Sequence, residues 1–151
     1  MTRGVHHLRR TQTVPAGIDE VFAFFADATN LERITPPELR FRILTPTPID
    51  TREGTLIDYR LSLFGVPFGW KTRISAWQPP VMFVDEQLRG PYAQWIHTHT
   101  FEAVPEGTRL DDHVAYRLPF HPLGAVALPL VRRQVEHIFD YRTRVIAERF
   151  R

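Results

Sequence analysis

With 151 residues, 43% of them hydrophobic, and no cysteine, the chain has the size and composition of one globular domain without disulfides or thiol chemistry. Its net charge of +2 is too small to argue for nucleic acid, and 18 of its 19 cations are arginine, which leaves Lys71 alone for Schiff-base chemistry. The longest apolar run, Gly124–Val131, falls far short of the ~20 residues of a membrane helix. Met1–Thr13 is polar and basic with no apolar stretch, which predicts no secretion signal and a cytoplasmic protein.

Val5–Val14 reads as a strand, broken by Pro15-Ala16-Gly17. Ile18–Ala26 then sets Ile18, Val21, Phe22 and Phe25 at helical spacing, with Asp19 and Glu20 in the first turn. Asp27 can cap a second short helix carrying Leu31 and Ile34 on one face, ended by Pro36-Pro37. From Leu39 the period becomes two: Leu39, Phe41 and Ile43 predict a half-buried strand, and Thr55–Phe64 predicts another with Ile57, Tyr59, Leu61 and Leu63 on one face. Gly65-Val66-Pro67 reads as a turn, followed by Phe68, Trp70, Thr72, Ile74 and Ala76 facing one way. Val81–Leu88, Ala93–Val104 and Thr108–Leu118 complete six strands joined by short Pro/Gly reversals, which predicts antiparallel hairpins. Leu128, Val131, Val135, Ile138 or Phe139, Val145 or Ile146, and Phe150 return to helical spacing, in a helix expected to begin or kink at Pro129. One strand, two helices, six strands and a long helix make an α+β domain: a curved seven-stranded antiparallel sheet closed by the C-terminal helix.

The segment richest in chemistry is Trp95-x-His97-x-His99-x-Phe101. Residues two apart on a strand point the same way, so two aromatics and two imidazoles share a face. The alternate residues Thr98, Thr100 and Glu102 look like a solvent face, which turns His97 and His99 inward. On the preceding strand Phe83, Asp85 and Gln87 share one side. A register placing Asp85 beside His97 would bring a carboxylate, an amide and two imidazoles together, whereas a slip of one residue would bring in Glu86. Such a cluster is either a structural polar network or a site, because buried polar groups must be satisfied by each other, water or a ligand. A metal is the lesser reading: Glu102 lies on the wrong strand face and no third histidine is in register, so the expectation is no metal.

Nucleophilic and phosphate motifs fail. Ser62 sits in Leu-Ser-Leu rather than in a Gly-x-Ser-x-Gly elbow, and Pro67 removes a donor from the only glycine-bearing loop resembling a phosphate cradle. The arginines of the last helix, Arg132, Arg133, Arg142, Arg144, Arg149 and Arg151, read as a solvated face, with contact to an anionic membrane surface as the weaker reading.

Val21-Phe22-Ala23-Phe24-Phe25, Asn30 to Pro37, Asp85-Glu86-Gln87 with Arg89-Gly90-Pro91-Tyr92, Trp95 to Phe101, Gly107-Thr108 and Asp112 to Tyr116 together resemble the START-like (SRPBCC) superfamily over essentially the whole chain. Its members include polyketide cyclases, coenzyme Q-binding proteins and lipid-transfer domains, and this sequence is most similar to small bacterial ligand-binding or cyclase/dehydrase-type proteins. The resemblance implies the helix-grip fold and a small hydrophobic or amphipathic ligand, lipid-like or polycyclic, held between sheet and helix. Trp70, Trp95 and Tyr116 would form apolar walls, with Phe101, Val135 and Phe139 beside them. His97, His99, Asp85, Gln87 and Tyr59 would orient a polar head, while Phe41, Ile57 and Phe68 are read as structural. No cofactor, nucleic acid or stable membrane insertion is expected, and the chain is read as a monomer or homodimer. The alternative is a cyclase-, dehydratase- or hydrolase-type enzyme using the Asp/His cluster for acid–base chemistry.

Overall fold

The computed structural model describes residues 4–120 and 123–151, the side chain of Leu123 excepted. In chain order the elements are β1 (His6–Val14), α1 (Ile18–Ala26), two 3-10 turns (Ala28–Glu32 and Pro37–Leu39), β2 (Arg42–Ile43), β3 (Leu56–Leu63), β4 (Val66–Gln78), β5 (Met82–Arg89), β6 (Gln94–Val104), β7 (Gly107–Arg117) and α2 (Leu123–Arg149). One antiparallel sheet runs β1-β7-β6-β5-β4-β3-β2, so the consecutive hairpins are neighbours and β1 closes on the last strand. This is the helix-grip arrangement. No helix among the described residues is long and apolar enough to cross a membrane.

Two clusters fill the inner side of the sheet. Phe22 of α1 meets Trp77, Phe83 and Phe101 edge-on at 5.2–5.9 Å, geometry that aromatic quadrupoles favour. Leu8, Val114, Tyr116, Val135 and Phe139 join β1 and β7 to α2. Between these clusters the sheet and α2 part.

Several local expectations are corrected. The second short helix is the 3-10 turn Ala28–Glu32 rather than an α-helix; Asp27 does cap it, accepting from the Thr29 amide at 3.0 Å and its hydroxyl at 2.6 Å. The Leu39–Ile43 strand shrinks to Arg42–Ile43, because Arg40 adopts left-handed backbone (φ 49°) and leaves Leu39 buried in the turn before it. The β3–β4 reversal is Phe64-Gly65, both at positive φ as a tight two-residue hairpin requires, rather than Gly65-Val66-Pro67. A bulge between Ile74 and Ala76 reverses the strand's phase, so Trp77 rather than Ala76 packs into the core beside Phe22. Of the two expectations for Pro129, a start there is overturned, since α2 runs from Leu123 through it.

At the start of β7, Gly107 has φ 139°, and a Cβ there would lie 2.2 Å from the Val14 carbonyl oxygen. Gly107→Ala is therefore expected to lower stability by about 1–3 kcal/mol, read as a lower urea midpoint with unchanged slope.

Candidate functional site

Alternation on β3, β4, β5 and β6 points one residue in two toward α2, and the resulting space encloses about 150 Å³. Its walls are mainly apolar. Trp70, Tyr92 and Trp95 form one of them, with ring centroids 4.8–5.7 Å apart, and Leu39, Phe41, Ile57 and Leu61 form another. Phe139 and Ile138 approach from α2.

The polar floor lies where β5, β6 and β7 meet. Asp85 is directly opposite His97 in the sheet and His99 opposite Asp112, so all four side chains share the inner face. His99 Nε2 is 2.5 Å from Asp85 Oδ2, and His97 Nε2 is 2.7 Å from Asp112 Oδ1. The two imidazoles stack with centroids 3.6 Å apart, and Phe83 stacks on the far face of His99 at 3.9 Å. From α2, Arg142 brings Nη2 within 3.4 Å of both Asp112 Oδ1 and His99 Nδ1, its guanidinium resting over Phe25 and Phe139. Glu86 points the other way and pairs with Arg73, which settles the register in favour of Asp85.

Electrostatics follow from this packing. Burial pushes the His99 imidazole down to about 4, helped by His97 and opposed by the two carboxylates. Burial alone would raise both aspartates. For Asp112 the Arg142 guanidinium leads the opposing effects, for Asp85 the His97 imidazole, and both carboxyls end below the usual carboxylate range. Tyr59 is driven upward, first by burial and then by the Asp85 carboxylate, and stays a neutral phenol.

Of the residues singled out in the sequence, Tyr59, Trp70, Asp85, Trp95, His97, His99 and Phe139 line this space. Four do not. Phe101 is covered by Phe22 and Phe25 of α1, and Tyr116 and Val135 are packed in the cluster under α2. Gln87 is spent locally, donating to the Tyr92 carbonyl at 2.7 Å and accepting from the Tyr92 amide at 3.1 Å, which holds the Tyr92 ring in the wall. Phe41 and Ile57, read as structural, are lining residues. Arg142, read as part of a solvated face, is 7% exposed. Sequence reasoning also passes over Asp112 and Tyr92. For Asp112 and Arg142 a signal is present, since Asp112 falls between Leu110 and Val114 at period two and Arg142 lies three residues after Phe139 and four before Ile146.

The sequence pattern of the polyketide cyclase / dehydrase and lipid transport family matches residues 14–140. The chain belongs to this family. No curated protein matches it. Among solved structures, the Zhui aromatase/cyclase from a Streptomyces species superposes with a TM-score of 0.76 at 17% identity, covering 96% of this chain and 93% of that one. A Thermus thermophilus protein gives 0.75 at 19% identity, over 96% and 97%. Ginseng major latex-like protein 151 gives 0.67 at 12%, over 97% and 98%. At these identities the likeness concerns the fold, so what this polyketide cyclase/dehydrase-family chain binds must be argued from its own cavity.

Proposed function

We propose that this protein binds a small, largely apolar molecule bearing a polar group, in the space between sheet and α2. The observation carrying this reading is the pairing of apolar walls with buried polar atoms left without a partner among the described residues: Thr51 Oγ1 and Arg142 Nε, each from a lining residue. An unsatisfied buried donor costs about 1–3 kcal/mol, and a ligand hydroxyl or carbonyl would recover it. A cavity of about 150 Å³ suits a single aromatic ring; a polycyclic or lipid-like guest requires the Trp70–Tyr92–Trp95 wall to move.

Tryptophan fluorescence tests the reading, because Trp70 and Trp95 are both in the wall. Titration with phenol, a single neutral ring with one hydroxyl, is expected to give saturable quenching. Thr72→Leu deletes a hydroxyl that lines the cavity and fills space, and is expected to weaken binding about 10-fold, or about 1.4 kcal/mol. Linear, non-saturable quenching in the wild type, or equal affinity in Thr72→Leu, would count against it.

The enzymatic alternative has one observation in its favour: Asp85 combines a cavity-facing carboxylate with a histidine partner. The histidine ring nitrogens are engaged by Asp85, Asp112 and Arg142, which leaves Asp85 as the group best placed to take a substrate proton. Recovery of a bound compound chemically unchanged after prolonged incubation separates carriage from turnover.

A further inference from the structure

The two imidazoles stand between two carboxylates. On one side Asp112 Oδ1 lies 2.7 Å from His97 Nε2 and 3.5 Å from His99 Nδ1. On the other, Asp85 Oδ2 lies 3.7 Å from His97 Nδ1 and 2.5 Å from His99 Nε2. His97 donates its Nε2–H to Asp112 and turns its Nδ1 lone pair toward Asp85, whereas His99 Nδ1 accepts from Arg142 Nη2 and His99 Nε2–H donates to the Asp85 carboxylate. One histidine lone pair and one exchangeable N–H thus converge on the Asp85 carboxylate, and a metal ion can take the place of that proton.

We propose that Asp85, His97 and His99 bind a divalent transition metal of the zinc or iron(II) type. The three candidate ligand atoms all lie within 4.8 Å of one another. Bonds of about 2.0–2.2 Å would set ligand atoms roughly 3.3 Å apart, a spacing bracketed by the 2.5 and 3.7 Å separations already present. Two imidazoles and one carboxylate form a donor set suited to zinc or iron(II), and it leaves positions open for water or ligand.

The surroundings fit the assignment. Asp85, His97 and His99 line the cavity, with Asp85 retaining 22% side-chain exposure against 5–6% for the imidazoles, so open coordination positions would face the guest. Asp112 stands behind both rings, outside the lining, where a second carboxylate fixes ring orientation and tautomer. Arg142, which also lines the cavity, balances the charge of Asp112 from the α2 side and reaches His99 Nδ1. Sequence reasoning sets the metal aside for want of a third ligand in register; the pairing of β5 with β6 supplies Asp85 opposite His97.

The test uses the full chain, stripped with a chelator, loaded with Zn²⁺ or Co²⁺ and dialysed. Elemental analysis is expected to find about one metal per chain, and Co²⁺ to show the intensified visible absorption of a four- or five-coordinate site. Asp85→Asn and His99→Gln are expected to abolish retention, whereas Asp112→Asn weakens it about 10–100-fold. His7 and His113 pair on the outer sheet face at 2.9 Å and are the competing site; the His7→Gln/His113→Gln protein is expected to bind as the wild type does. Substoichiometric retention by the wild type, or retention lost with His7 and His113 instead of Asp85 and His99, overturns the proposal. Should Asp85→Asn fail to fold, the Co²⁺ spectrum of the wild type decides, an aqueous-type spectrum overturning it. Quenching by phenol in the chelator-stripped protein reports ligand binding separately, so failure of one reading is distinguishable from failure of the other.

Discussion

Replacing Arg142 by leucine is expected to lower stability by about 3–5 kcal/mol, the cost of stranding a buried charge without its partner. Asp112 keeps its carboxylate ionised in an apolar setting chiefly because the guanidinium is there, and Arg142 Nη2 also reaches His99 Nδ1. The guanidinium also rests over Phe25 and Phe139, so the substitution removes those cation–π contacts together with the ion pair. Urea unfolding should show a lower midpoint at constant slope. Asp112→Asn combined with Arg142→Leu should cost less than the two singly by about 1 kcal/mol or more, as expected for groups in one network. A single-variant loss within about 0.5 kcal/mol, typical of a surface site, would show that Arg142 is not the counter-charge.

That arginine also marks where legibility in the sequence ends. Period-two alternation is enough to place Tyr59, Trp70, Trp95, His97 and His99 on inner faces, because a strand with one buried side has little freedom to point otherwise, whereas the choice of Asp85 over Glu86 needs the pairing of β5 with β6. Arg142 and Asp112 obey the same periodicities, yet a charged residue in a sequence reads as solvent-facing. Burial with a partner 30 residues away in the chain is a tertiary fact that periodicity cannot announce. The Ile74–Ala76 bulge reverses the phase of a strand that otherwise alternates cleanly, and only the pairing with β5 reveals it. Phe101 and Tyr116 lie on the predicted face but outside the cavity, since α1 covers one end of the sheet and the tight cluster under α2 covers the other. Facing inward fixes which side a residue takes; where sheet and helix separate fixes whether it meets a ligand.

Phe83→Ala is expected to cost about 3–5 kcal/mol, as a buried phenylalanine deletion does, and to alter the site as much as the stability. Phe83 is 6% exposed, meets Phe22 and Trp77 at 5.9 and 5.5 Å, and stacks on His99. Its ring thus joins the α1 core to the polar floor and forms part of the cavity wall. Removing it should join a ring-sized void to the existing space, so wider guests gain affinity while the His97–His99 stack loses its apolar backing. Linkage provides the check. At 100 times its dissociation constant, 1-naphthol should return about 2.7 kcal/mol of the lost stability, and a fused three-ring phenol should bind the variant more tightly than the wild type. If the variant is destabilised but neither compound rescues it, the void has collapsed, and the wall at Phe83 belongs to the core rather than to the cavity. Rescue by the wider compound would instead place the limit on guest size at Phe83, where the α1 core and the stacked histidines meet.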